Sequence, residues 1–308
     1  MKMEKKKFAE LENLCQFRFM ESGDCFHVCS QENLPILFHN EDEFKAAMNI
    51  VAFVAFLFRD IWIYTFEIMD NHFHFALSGK EERVRTFIKH LVSKLVSNPT
   101  LSASKKDIEK LSFKIFPVDS LNNIRNVIAY INRNGAVVNP NENVFTYKWG
   151  ANRFFFNMEA RLRFQSCRTV PTSRLKRELF HSDLMAKEEN VHILDGYVSP
   201  LCYCHISDAE ALFRNSRNYF FCVSRNIEAS MEIAKSIGES IYYTDDDLFA
   251  HISSVCSKKY NGHSVSTLSK EAKIELAKEL HFDFNARNKQ ISRLLKMELR
   301  VISALFPE

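Results

Sequence analysis

The segment IYTFEIMDNHFHFAL, residues 63–77, leaves a folding chain few choices. An apolar run over 61–68 stops at Met69-Asp70-Asn71, and a second run over 72–77 begins at once. Two short β-prone runs joined by polar turn residues spell a hairpin. Side chains alternate faces along a strand. Phe73 and Phe75 therefore point to one side, toward a core, and His72 and His74 to the other. At a rise of ~3.4 Å per residue the two imidazoles stand about 7 Å apart along the strand, close enough to converge on one metal ion. The plainer alternative is a pair of sheet-face histidines that bind nothing.

The flanking pattern extends the hairpin into a sheet. CFHVCS over 25–30 reads as a first strand, on which His27 is a core or sheet-face histidine. The 46–58 run is apolar but shorter than the ~20 residues a bilayer requires, so 42–59 is expected as a buried helix. Val84, Phe87, Ile88, Leu91 and Leu95 recur at helical spacing within 81–97, and 113–118 reads as a last strand. Strand, helix, hairpin, helix, strand is the βαββαβ order of an α+β, ferredoxin-like sheet with both helices on one face. That architecture carries no function by itself.

A further helix over 121–134, LNNIRNVIAYINRN, has Ile124, Val127, Ile128 and Ile131 on its apolar stripe. Tyr130 and Asn134 are one turn apart at the stripe's margin, and Gly135 reads as the helix stop. A tyrosine hydroxyl and an amide oxygen on one helix edge can complete a metal site beside a nucleophile. A half-buried tyrosine and a terminal asparagine cap is the competing reading.

Together these residues resemble the single-tyrosine transposases of the His-hydrophobic-His (HUH) type, with the REP-associated tyrosine transposases as the nearest kind. MDNHFHF is similar to the family's paired-histidine motif, YINRNGAVV over 130–138 to the helix bearing its nucleophilic tyrosine, and FTYKW over 145–149 to the aromatic segment that follows. The motifs occur in the family's order, and the resemblance covers roughly residues 20–155. Gly135 stands where the family has proline, and Gly150-Ala151 where it has paired serines. The resemblance implies a catalytic domain over 1–155, with Tyr130 as nucleophile and His72, His74 and Asn134 holding Mg²⁺ or Mn²⁺. It implies cleavage and rejoining of single-stranded or hairpin DNA through a 5′-phosphotyrosine.

Composition narrows the remaining classes. Of 308 residues, 46% are hydrophobic and 28 are Phe, with only 7 Gly and 7 Pro, which excludes disorder and loop-rich repeats. A net charge of +3 permits nucleic-acid binding only through a local basic surface. The eight cysteines follow a charged N-terminus, MKMEKKKFAE, with no secretory pattern, so reduced thiols in a cytoplasmic protein are expected. Cys202-x-Cys204-His205 and Cys25-x3-Cys29 lack a second, well-spaced ligand pair for zinc.

Residues 156–308 are expected to be mostly helical and basic. Arg153, Arg161, Arg163, Arg168, Arg174, Lys176 and Arg177 stand against one acid, Glu159, with phenylalanines interleaved, a composition suited to phosphates and unpaired bases. Arg125 and Arg133 add charge on the tyrosine helix. Short helices are expected over 208–213, 227–237, 244–257 and 269–280, with Asp245-Asp246-Asp247 as first-turn acids. NKQISRLL over 288–295, a break and another helix resemble a helix-turn-helix at 285–306, with Lys289 and Arg293 toward phosphate. No membrane partner is expected, and a homodimer is left open. Two rivals stand beside the transposase: a catalytically silent DNA-binding regulator on the same fold, and a metalloenzyme using His72 and His74 on small molecules.

Overall fold

The computed structural model describes residues 2–30, 35–103, 105–138, 143–224, 245–260, 264–284 and 286–306. The helix expected over 227–237 and residue Asn285 lie outside them. The chain forms two compact units, Met1–Gly135 with Asn143–Val223, and Ala136–Glu142 with Ser224–Glu308.

The first unit opens with helix α1 (Lys2–Glu21), longer than its charged sequence suggests. It continues through β1 (Cys25–Ser30), α2 (Glu41–Leu57), β2 (Trp62–Ile68), β3 (Phe73–Ser78), α3 (Glu81–Ser97), α4 (Lys105–Glu109), β4 (Phe113–Val118) and α5 (Leu121–Val138). The class is α+β, built on a four-stranded sheet in the order β2-β3-β1-β4. Every neighbouring pair is antiparallel. The hairpin closes where Met69 N–H donates to His72 O at 2.8 Å, and Asp70 O accepts from Leu37 and Phe38 N–H. Phe73 and Phe75 are fully buried, as the alternation requires. On that face Phe75 meets Phe87 of α3 edge-on at 6.0 Å. The buried side chains of α3 are Val84, Phe87, Ile88, Leu91 and Leu95, the stripe legible in the sequence.

Helix α2 explains why this unit runs past residue 155 to Val223. It is capped by Asn40, whose side chain accepts from Asp42 and Glu43 N–H, and every residue over 46–56 is buried. A helix apolar on all sides needs cover on all sides. The sheet covers one; after α6 (Met158–Cys167), the other is covered by α7 (Ser173–Phe180) and the short hairpin of β5 (Ile193–Leu194) and β6 (Tyr197–Val198). There Phe180 packs on Phe53 at 5.8 Å, and Val198 N–H donates to Asn49 Oδ1 at 2.9 Å. Helices α8 (Ile206–Ala211) and α9 (Ser216–Val223) complete the unit.

The second unit has its own core. Helices α10 (Asp245–Lys259), α11 (Lys270–Phe282), α12 (Asn288–Leu295) and α13 (Leu299–Leu305) bury Leu248, Ile252, Leu276, Leu280, Ile291, Leu295 and Ile302 together. Lys296 turns the chain between α12 and α13 in the left-handed region, at φ 50°. Asn288 Nδ2 donates to Phe306 O at 2.8 Å, tying the start of this helix pair to its end. Among the described residues, no helix is long and apolar enough to cross a membrane.

Candidate functional site

The sheet face turned away from α2 and α3 is polar. Register places Glu67 and Cys29 on either side of His74, and Thr65 and His27 on either side of Ala76. Directly paired residues share a face, so His27, Thr65, Glu67 and His74 form one patch, all fully buried. His72, just before β3, is 4% exposed.

The residues singled out in the sequence meet here. The His72 and His74 rings stand 4.8 Å apart and nearly perpendicular. His74 stacks on His27 at 5.8 Å. Tyr130, half-buried on α5, turns its ring edge-on to His74 at 5.7 Å and to His27 at 6.2 Å. Asn134 follows one turn later, also half-buried. His72 Nδ1 lies 2.6 Å from Asn71 Oδ1, a contact that orients the imidazole.

Gly135 does not stop α5, which continues to Val138. A Cβ at Gly135 would fall 2.2 Å from the Tyr147 ring, so the glycine is a seat for that ring. Tyr147 hydroxyl in turn donates to Ile68 O at 2.6 Å. The chain then runs beside β2: Ile68 N–H donates to Trp149 O, Ala151 N–H to Phe66 O, and Gly150 bridges to Glu67. A Cβ on Gly150 would lie 2.5 Å from Phe66 O. Gly135 and Gly150 are thus both positions where backbone and neighbour touch.

Glu67 was not singled out in the sequence. Its Oε2 accepts from Gly135 N–H at 2.7 Å, a bond proline could not make, while Oε1 has no hydrogen-bond partner. Burial pushes its pKa well above the usual carboxylate range, and the Gly135 bond only partly opposes this. The signal was present: one acid in the strand WIYTFEI, at the alternation phase of Thr65 and opposite His74. Beside it Thr65 hydroxyl donates to Asn132 Oδ1 at 2.5 Å, and Asn132 Nδ2 donates to Tyr219 hydroxyl at 2.9 Å.

Several of the expected DNA-contacting cations pair with groups of the first unit. Arg125 is buried, pairs with Glu12 at 2.7 Å and donates to Leu212 O at 2.6 Å. Arg153 and Arg163 converge on Asp195 at 2.9 and 2.5 Å, and Arg163 first, then Arg153, holds that carboxyl below its usual range. Arg161 pairs with Glu210 at 2.8 Å, and buried Lys176 donates to Glu188 O. These partners are distant in sequence, which is why a window holding one acid looked uncompensated. Arg168, Arg174, Arg177, Lys289 and Arg293 are exposed, and Arg133 is half-buried. Of these, Arg174, Arg177 and Arg293 pair with Glu178, Asp183 and Asp245.

Among the described residues, no group of three or more His, Cys, Asp and Glu side chains is arranged to hold a metal ion. His72 and His74 with the Asn134 amide are a different donor set. Two adjacent imidazoles, one of them oriented by the Asn71 amide, are donors suited to a divalent ion, and the Asn134 amide could add an oxygen. No family model, no curated protein and no solved structure matches this chain.

Proposed function

We propose that the first unit nicks and rejoins single-stranded DNA through a covalent bond to Tyr130, in the manner of HUH single-tyrosine transposases. The observation that carries the reading is the edge-on packing of Tyr130 against His74, with His72 at its side. On this reading the β2-β3-β1-β4 order, with α2 and α3 on one face, is a ferredoxin-like sheet, and the tyrosine helix lies over its other face.

Tyr130 Oη attacks phosphorus as the bond to the 3′-oxygen breaks. The phenol proton is given up, the departing 3′-oxygen takes one, and the product is a 5′-phosphotyrosine with a free 3′-OH. A phenol, with its pKa near ~10, leaves more readily than an aliphatic alcohol, so a second 3′-OH can reverse the step without ATP. His72, His74 and Asn134 would hold Mg²⁺ or Mn²⁺, whose contribution when bound is to offset charge on the phosphate oxygens. The dense packing of His27, His74 and α5 keeps the Tyr130 ring in one orientation, so little entropy is lost on approach to phosphorus. In the second unit, α12 and α13 are read as a helix-turn-helix that brings Lys289 and Arg293 toward duplex phosphates.

The test is a denaturing gel of the purified chain with end-labelled, hairpin-bearing single-stranded DNA, in Mn²⁺ or chelator. A metal-dependent covalent band that disappears in Tyr130→Phe is the expected result. Tight binding with no adduct in Mn²⁺, or in Mg²⁺ used in its place, would overturn the catalytic reading and leave a DNA-binding protein.

A further inference from the structure

We infer that Phe145 and Phe220 form a stacking platform for an unpaired base of the DNA strand, placed beside the tyrosine helix; this rests on the reading of the first unit as a single-stranded DNA enzyme. The two rings meet edge-on at 5.7 Å and are 38% and 37% exposed, a paired aromatic surface facing solvent.

The segments that carry the two rings are tied to the same stretch of α5. Phe220 follows Tyr219, whose hydroxyl accepts from Asn132. Phe145 precedes Tyr147 by two residues, and the Tyr147 ring sits on Gly135. Asn132 and Gly135 bracket Arg133 and Asn134, so the platform is fixed to the turn of helix that follows Tyr130.

The platform is rigid. Phe145 N–H donates to Asn143 Oδ1 at 2.8 Å, Asn143 N–H to Thr146 Oγ1 at 2.7 Å, and Asn152 Nδ2 clamps Val144 O at 2.7 Å. Beneath Phe220, Tyr219 packs at 5.3 Å and Phe156 at 6.5 Å. An ordered aromatic face loses little freedom when a base lands on it.

Charge selects the occupant. Arg217 is exposed on α9 one turn before Phe220 and Phe221, on the same helix face. Neither α9 nor the 143–147 turn contains an acid. Exposed aromatic rings beside a cation suit a base with its phosphate. Stacking of this kind tolerates any base, so the platform would hold the strand without reading its sequence.

The experiment measures affinity by fluorescence anisotropy for a labelled DNA hairpin with an oligothymidine flank, and for the same hairpin with an abasic flank. Wild type is expected to lose about tenfold when the bases are removed, within the range for one base–aromatic stack. Phe220→Leu, which keeps the apolar packing, and Phe145→Ala should lose a similar factor on the thymidine flank and little on the abasic one. Equal losses on both flanks, or no preference of wild type for the thymidine flank, would overturn the platform. If that happens while wild type still forms the Tyr130 adduct, the enzyme reading survives the failure. Absence of both binding and adduct would sink the two together.

Discussion

Gly135→Ala is expected to destabilise the first unit, and to reverse its sign when Tyr147 is also shortened. A methyl at position 135 lies 2.2 Å from Cδ1 and 2.3 Å from Cγ of Tyr147, where no real Cβ contact is found. The ring is buried and its hydroxyl is tied to Ile68 O, so it cannot step aside without breaking that bond. Overpacking costs about 1–3 kcal/mol, and the lost hydrogen bond about 1 kcal/mol. Alanine returns about 1 kcal/mol of helix propensity relative to glycine. The net cost is therefore about 1–3 kcal/mol, a fall of roughly 3–10 °C in Tm for a unit of this size. In a Tyr147→Ala background the ring is gone, the new methyl enters the vacated space, and Gly135→Ala should stabilise by up to about 1 kcal/mol. Differential scanning calorimetry of the four proteins in the cycle reads this directly. Equal effects of Gly135→Ala in the two backgrounds would show that the glycine is not there to seat the ring.

Two other expectations concern stability away from the site. Glu43, 2% exposed, suffers the desolvation of burial, but hydrogen bonds from His39 N–H at 2.6 Å and Ser102 N–H at 3.0 Å outweigh it and hold its pKa at about 2. Its folded pKa is depressed, so its contribution is complete above the unfolded value and is lost as pH falls from about 4.5 toward 2. Glu43→Gln should then cost about 3 kcal/mol at pH 7 and little near pH 2, as urea unfolding at the two pH values would register; a cost that does not change with pH would sink this account. Lys296→Gly should stabilise the second unit by about 0.5–1 kcal/mol, because glycine adopts the left-handed conformation held at φ 50° without strain. A lower Tm in that variant would mean the lysine side chain does more than cap α12.

The hairpin, α3 and α5 were legible because each rests on a local period, while the meeting of His72, His74 and Tyr130 was expected from the family resemblance. Alternation set the faces of β3, and helical spacing set the face of α5. What the sequence hid depends on partners far along the chain. Asp195 gathers Arg153 and Arg163 only after the chain has folded back over α2. The role of Gly135 is decided by a tyrosine beyond the end of its helix, so a glycine at a familiar stop position became a contact point instead. Helix α2 did contain a readable hint: a run apolar on every side over 46–56 announces more cover than one sheet supplies. The buried acid Glu67 was visible as the odd letter in an apolar strand, but a lone polar residue reveals its importance only when its opposite number, His74, is known to be in the site.

The chain laid along β2 has a consequence for how this sheet behaves in company. An uncovered strand is a template on which other strands can grow. Over Phe66–Ile68 that template is closed, because Trp149 and Ala151 already take up the outward hydrogen-bonding groups of Phe66 and Ile68. The opposite border is β4, where Pro117 supplies no N–H and Lys114 holds an exposed charge. A chain with 28 phenylalanines thus keeps both borders of its sheet poor nuclei for fibre growth.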